Sequence, residues 1–321
     1  MKTTFIWSYP HPLHKKWADS VATKSAPFLP KIFLNARSST PLIGQSLSII
    51  KSMMIPKSDV YLLEGMNCAL PAIIRKRKNT KLILINSDTF FYDLEHAKGV
   101  KKKIYLWYLK RIDGIISTSE MMKKLVEKYT SAPNRVVYPG INPEFFKADA
   151  DYTSKNIAHG LSLLRKQKGT DLVIEAFNKM KDKDKLYLIG DIGDVEIPHN
   201  KNIIATGWVD SPNKYLSRCS IYVNPARFEP FGMNIVEAMA AGLVPIVSEN
   251  CGAKDIVRKI SPKLIIKTNV TEILKTIDWL SRGNRKELLG KKAKKIARGC
   301  VVKNSIKNFK KAFYELIGEI D

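Results

Sequence analysis

Two glutamates, Glu229 and Glu237, stand eight positions apart in the run Arg227-Phe228-Glu229-Pro230-Phe231-Gly232-Met233-Asn234-Ile235-Val236-Glu237-Ala238-Met239-Ala240-Ala241-Gly242. The Pro-Phe-Gly turn followed by an alanine-rich stretch predicts a helix that opens at Gly232 and closes at Gly242. Glu237 then lies one turn inside the helix, and Glu229 lies in the loop before it. Amides around Gly232, Met233, Asn234 and Ile235, next to Phe231, would point outward from the helix start. The macrodipole adds partial positive charge there, so a diphosphate suits the place. Gly232 permits close backbone approach. A carboxylate near such an end can accept hydrogen bonds from both ribose hydroxyls, as an acidic residue does in dinucleotide folds, and Glu237 occupies that position. The chemistry indicated is binding of a sugar nucleotide.

The elements that must hold these residues are also legible. Short apolar runs at 219–224 and 243–247 read as parallel strands flanking the helix. The chain alternates apolar runs with helical patterns almost throughout, which marks α/β architecture. Expected strands at 3–7, 60–63, 82–85, 114–117 and 136–138 form a first sheet. Residues 139–152, with Pro, Gly, Asn and Asp and no periodicity, read as a linker. A second series is expected at 156–162, 186–189, 203–205, 221–223, 244–247 and 264–266. Helices intervene at 171–180 and at a segment opened by Ser211-Pro212, where Ser can cap and Pro suits the first turn. From about 270 onward the pattern is helical. Ligands of open α/β sheets bind beyond the carboxyl ends of the strands, so two such domains facing one another would enclose a cleft.

The run from Glu229 to Glu237 resembles the E-x7-E signature of the retaining glycosyltransferases of family 4, which have the GT-B fold. The resemblance continues through Gly207-Trp208-Val209, Tyr215, Ile221-Tyr222-Val223-Asn224-Pro225, Pro245-Ile246-Val247, Gly252 and Asp255-Ile256-Val257. Earlier, Asp113-Gly114-Ile115-Ile116-Ser117-Thr118-Ser119-Glu120 and Val136-Val137-Tyr138-Pro139-Gly140-Ile141-Asn142 resemble the end of that family's first domain. Ordered agreement over roughly residues 110–260 is far more specific than one short motif.

The resemblance implies two facing Rossmann-like domains, 1–147 on the acceptor side and 148–300 on the donor side. A helix at 301–321 is expected to cross back onto the first domain. It implies transfer of a sugar from a UDP- or GDP-sugar, with retention, to a glycan, lipid-linked or protein acceptor, and no required cofactor. Glu229 would hold donor sugar hydroxyls. Lys168, in Lys168-Gly169-Thr170-Asp171, resembles the family's phosphate lysine, and a cation there offsets charge on a departing diphosphate. The family's arginine five positions earlier is replaced by Leu163, leaving Arg165 or Lys166 to substitute. Leu188-Ile189-Gly190-Asp191 resembles the turn near the donor base, and Gly207, Trp208 and Val209 would meet the base through backbone groups. On the acceptor side, the usual Gly-rich loop is replaced by Ser8-Tyr9-Pro10-His11-Pro12-Leu13-His14, in which two prolines remove two donors. The family's His-Asp pair appears as Asn86-Ser87-Asp88-Thr89, so Asp88 matches and the histidine does not. His11, Asp88 and Glu64 are the acceptor-side candidates.

No metal site is expected. Asp149-Ala150-Asp151 and Asp182-Lys183-Asp184 have Asp-x-Asp spacing but do not follow apolar strands, and the four cysteines lack paired spacing. The 321 residues and 45% apolar content suit about two domains. No apolar run approaches the ~18 residues that span a bilayer, and the apolar start at Phe5-Ile6-Trp7 is too short for a signal peptide. A cytoplasmic protein is therefore expected. The net charge of +24 is spread over both halves, with 24 basic and 11 acidic groups in 1–150 and 30 and 19 in the remainder. Clusters at 75–78, 98–103 and 291–295 leave open an anionic membrane surface, reached peripherally at the inner face, beside a plainly solvated lysine-rich surface. The stretch 101–111 is basic and aromatic, as at a lipid interface, but its place before the Asp113 strand favours a helix covering the sheet. No nucleic-acid motif is present, so nucleic acid is not an expected partner. Two other classes stay open: a nucleotide-sugar-binding protein without transfer, and a basic nucleic-acid-binding protein.

Overall fold

The computed structural model describes residues 1–7, 11–21, 24–27 and 55–318. Ser8, Tyr9 and Pro10 of the first loop, and 319–321 of the expected crossover helix, lie outside them. The chain divides into two compact units, Met1–Tyr138 with Ser305–Asp321, and Pro139–Asn304.

The first unit is built on a parallel sheet of β1 (Thr3–Trp7), β2 (Lys24–Pro27), β3 (Val60–Glu64), β4 (Lys81–Asn86), β5 (Gly114–Ser117) and β6 (Asn134–Val136). Their order is β2-β1-β3-β4-β5-β6. Leu62, Leu63, Leu82, Ile83, Ile85, Ile115 and Ile116 are fully buried. This is why the strands read as continuous apolar runs: a parallel sheet is covered on both faces. The chain moves outward from β1 to β2 and then crosses to the other side of β1 for β3. The switch point of the sheet therefore falls between the carboxyl ends of β1 and β3. Helix Val302–Ile317 belongs to this unit from Ser305 onward. Its Phe309 stacks on Trp17 with ring centroids 5.0 Å apart, and the Trp17 indole donates to Ser305 Oγ at 3.0 Å.

The second unit repeats the plan with β7 (Ile157–Gly160), β8 (Leu186–Ile189), β9 (Ile203–Ala205), β10 (Ile221–Asn224), β11 (Val244–Ser248) and β12 (Ile265–Ile266). The order β12-β11-β10-β7-β8-β9, all parallel, puts the switch point between β7 and β10. Helix Met233–Ala240 carries the chain from β10 to β11. It ends at Gly242, whose φ of +89° suits a left-handed cap, with Leu243 N–H donating to Ala238 O at 3.0 Å.

Several local expectations are corrected. The strand expected at 136–138 is Asn134–Val136, because the chain turns away ahead of Pro139, although Val137 N–H still reaches Ser117 O at 2.9 Å. Strand β2 was not expected, since Lys24-Ser25-Ala26-Pro27 carries neither alternation nor an apolar run. Ser211 does not cap the next helix: Asn213–Leu216 begins after Pro212 without a side-chain cap. The expected linker holds a 3-10 turn, Pro143–Lys147, capped by Asn142. Among the described residues no helix is long and apolar enough to cross a membrane.

Candidate functional site

At the switch point of the second sheet, Lys168 Nζ and Glu229 Oε2 form a direct ion pair. Glu229 is buried, with only 9% of its side chain accessible, and Lys168 retains 27%. Each is fixed by its own loop. The lysine sits in a 3-10 turn that ends at Gly169, whose φ is +75°. A Cβ at Gly169 would stand 2.5 Å from the Pro225 carbonyl oxygen, so only glycine lets this turn lie against the loop after β10. Arg227 seals the contact from the other side: it donates to the Lys166 carbonyl and makes a two-pronged pair with Asp171 at 2.8 and 2.7 Å. Glu229 is held by its backbone, which accepts from Gly252 N–H at 2.9 Å and donates to Asn250 O at 3.0 Å.

Beneath the lysine turn lies His159 of β7, 1% exposed. Its Nδ1 is 2.7 Å from Val223 O and its Nε2 is 2.8 Å from Thr170 Oγ1. A carbonyl can only accept, so Nδ1 carries the proton and Nε2 accepts from the Thr170 hydroxyl. Burial pushes the imidazole pKa down to about 4, with Lys168 adding to the effect. The neutral ring thus ties β7, β10 and the start of helix Thr170–Lys179 together directly under Lys168.

Glu237 is partly exposed on helix Met233–Ala240. Among the described residues no hydrogen bond reaches its carboxylate. Burial of the carboxyl group, and secondarily the negative charge of Glu144, push its pKa up to about 7. Its neighbours divide by role. Gly232 has φ +94° and lies against Glu229 Cγ and Ile235 Cδ1. Phe231 and Ile235 are buried at 4% and 0%, so only their main chains could meet a ligand. The Ile235 N–H turns back to Gly232 O at 3.1 Å. Asn234 donates to Gly160 O at 2.8 Å, tying the helix to the end of β7, while Met233 remains partly exposed.

The loops after β7, β8 and β9 touch through their backbones. Leu164 N–H donates to Asp191 O at 2.8 Å and Gly190 N–H to Gly207 O at 3.0 Å. Leu161 sits at φ +66°, the one non-glycine residue with positive φ among the described residues. Trp208 N–H donates to Asp191 Oδ1 at 3.0 Å, leaving the Trp208 ring 68% exposed beside partly exposed Val209. Arg165 is exposed and has no ion-pair partner among the described residues.

In the first unit, the switch point between β1 and β3 collects the other candidates. Glu64 Oε1 accepts from His11 N–H at 2.9 Å and pairs with His14 Nδ1 at 2.8 Å. Its second oxygen, Oε2, is buried without a partner among the described residues. Asp88 lies against Gly65, where a Cβ would stand 2.5 Å from Asp88 Oδ2, and burial raises its pKa. His11 and His14 lie 5.0 Å apart, and burial, then His14, push the His11 pKa down to about 4.

Over 98% of this chain and 100% of the other, the structure is similar to that of Anabaena HepE solved in complex with UDP and glucose, with a TM-score of 0.76 at 14% identity. Sucrose-phosphate synthase from Thermosynechococcus elongatus gives 0.76 at 12% identity over the whole of both chains. This is the GT-B fold of glycosyltransferases. Residues 142–297, almost the whole second unit, match the glycosyl transferases group 1 family. The chain is 25% identical over 273 residues to an uncharacterized glycosyltransferase of Methanocaldococcus jannaschii, covering 81% of this chain and 73% of that protein. It is 27% identical over 199 residues to starch synthase 2 of Arabidopsis thaliana, where 49% of this chain matches 25% of the relative.

On this GT-B frame, the group 1 match contains Lys168, Glu229 and Glu237 together. The two Asp-x-Asp segments are engaged elsewhere: Asp149 with Lys294, Asp151 with Thr153, and Asp182 with Lys155. Among the described residues no cluster of three or more His, Cys, Asp or Glu side chains could hold a metal. Sequence reasoning missed His159, the Arg227–Asp171 pair and the bond from Glu64 to His14. A histidine inside an otherwise apolar strand was the signal for the first, because a buried imidazole must have partners.

Proposed function

We propose that the protein is a retaining glycosyltransferase that moves a sugar from a nucleoside diphosphate donor, bound by the second unit, to an acceptor hydroxyl. The observation that carries this reading is the ion pair of partly exposed Lys168 with buried Glu229 at the switch point between β7 and β10. A buried carboxylate held by one partly exposed lysine is poised for exchange. An arriving diphosphate takes Lys168, and Glu229 turns to the donor sugar hydroxyls, which supply the hydrogen bonds that the lysine gave up. Glu237, whose carboxylate has no hydrogen bond among the described residues, accepts from the ribose hydroxyls. Gly207 and Val209, with the exposed ring of Trp208, face the base, and exposed Arg165 is the second phosphate cation. HepE was solved with UDP-glucose, which favours a UDP-sugar over a GDP-sugar as donor.

In this reading the bond from the anomeric carbon to the diphosphate oxygen breaks, and the acceptor oxygen bonds to the same face of that carbon. The acceptor proton passes to the departing phosphate, whose charge Lys168 offsets. Glu64, with an oxygen unpartnered among the described residues, and the nearby His11 and Asp88 are assigned to the acceptor, a glycan, lipid-linked or protein hydroxyl. Lysine supplies the positive charge, so chelation of divalent metal is expected to leave turnover unchanged.

Proton NMR of the anomeric signal during turnover of an α-linked donor, with acceptor or with water, tests the reading. An α-configured first product is expected, and Glu229→Gln is expected to lower the rate at least ~100-fold. A β-configured first product, or full activity in Glu229→Gln, contradicts it.

A further inference from the structure

In the first unit, helix Gly99–Leu109 buries only Leu109 of its eleven residues. A helix that covers a sheet normally buries an apolar stripe, and here a stripe faces water instead. Val100, Ile104 and Trp107 are 72%, 45% and 43% exposed. Their spacing of four and three residues puts them on one face. Lys98, Lys101, Lys102, Lys103, Lys110 and Arg111 surround the stripe, with no acidic residue between 97 and 112. Among the described residues these six cations have no ion-pair partner, whereas nearby Lys76 and Lys128 are matched with Asp113 and Glu95. Arg111 lies over the Trp107 ring at 3.6 Å, which leaves an aromatic body with a cationic rim.

A second element extends the patch. Strands β3, β4 and β5 are successive neighbours, so right-handed crossovers put helix Ala69–Arg75 and helix Gly99–Leu109 on the same face of the sheet. Ile74 of the first is 42% exposed and is followed by Arg75-Lys76-Arg77-Lys78. Lys76 Nζ donates to Arg111 O at 3.5 Å, which brings the two basic ends together.

We propose that this face docks on an anionic lipid surface. Cations alone would serve any polyanion, but a nucleic acid has no use for an exposed Val-Ile-Trp stripe. At a bilayer interface the stripe enters the headgroup boundary, Trp107 sits at the level it prefers, and the lysines reach lipid phosphates. The surface is separate from the donor site, so failure here would leave nucleotide binding standing.

Sedimentation of the full chain with vesicles of phosphatidylcholine alone, or with ~30% phosphatidylglycerol, tests this. Binding is expected only with the anionic lipid and is expected to fade with salt. The double variant Ile104→Ser with Trp107→Ser should bind at least ~10-fold more weakly, and each of Lys101→Glu, Lys102→Glu and Lys103→Glu at least ~5-fold more weakly. Nucleotide affinity and the thermal midpoint should stay unchanged in all of them, since the positions are exposed or, for Lys102, partly exposed. Equal binding by the Ile104/Trp107 variant overturns the proposal. So does tight binding to an oligonucleotide that depends on the lysines, ignores the stripe and occurs without vesicle binding.

Discussion

At the scale of single residues, protonation separates Glu237 from His159. The pKa of Glu237 is raised to about 7, so the folded protein binds more protons than the unfolded chain between about pH 4.5 and 7. Its contribution to stability therefore falls as pH rises through that window. Glu237→Gln should raise the melting temperature of the unliganded protein at pH 8 and change it little at pH 4, which thermal melts at the two values would check. His159 has the opposite sign. With a folded pKa of about 4, below the ordinary imidazole value of 6.5, its contribution is lost as pH falls through that interval. His159→Ala leaves the Val223 carbonyl and Thr170 hydroxyl without a partner and opens a cavity, a cost of roughly 2–4 kcal/mol by denaturant unfolding. Nucleotide affinity should fall with it, because Lys168 stands two residues before Thr170. The two glutamates were legible because their spacing around a glycine turn is local. The role of His159 was not, since it depends on a carbonyl 64 residues away at Val223.

At the scale of elements, the geometry rests on loops that approach each other through bare backbone. Gly169→Ala should cost more than ~1 kcal/mol, because φ +75° is unfavourable to alanine and the Pro225 carbonyl blocks the Cβ. Chemical denaturation gives the cost. Calorimetry should show weaker nucleotide binding than the stability loss alone explains, since the lysine turn moves away from Glu229. The parallel strands were legible as continuous apolar runs such as Leu186-Tyr187-Leu188-Ile189. Strand β2 was not, because a short strand with a lysine and a proline is defined by its neighbour β1 rather than by its own pattern. The cap by Ser211 failed for a related reason: Pro212 lies ahead of the first helical residue instead of within the first turn. Helix Gly99–Leu109 had its place before β5 legible in the sequence, but not how little of it is covered.

At the scale of the whole molecule, the alternation of strands and helices was enough to give an α/β chain with two parallel sheets. The place of the last helix came from family resemblance, not from periodicity. That helix is structural for the first unit: Phe309 and Phe313 are fully buried, and Arg135 pairs with Glu315 at 2.7 Å. Phe309→Ala should cost roughly 3–5 kcal/mol and loosen the Trp17 stack, seen as a changed near-ultraviolet dichroism signal. In the proposed function the second unit is a nucleotide-sugar site built on Lys168, Glu229 and Glu237. Calorimetric titration of UDP, GDP and ADP, each with and without common sugars, into the parent and Glu237→Ala is the decisive experiment. Selective binding of one nucleotide that weakens roughly ten- to a hundredfold in the variant is the expected result, since a charge-assisted contact is worth about 1.5–3 kcal/mol. No nucleotide binding by the parent, or equal binding by Glu237→Ala, would contradict it.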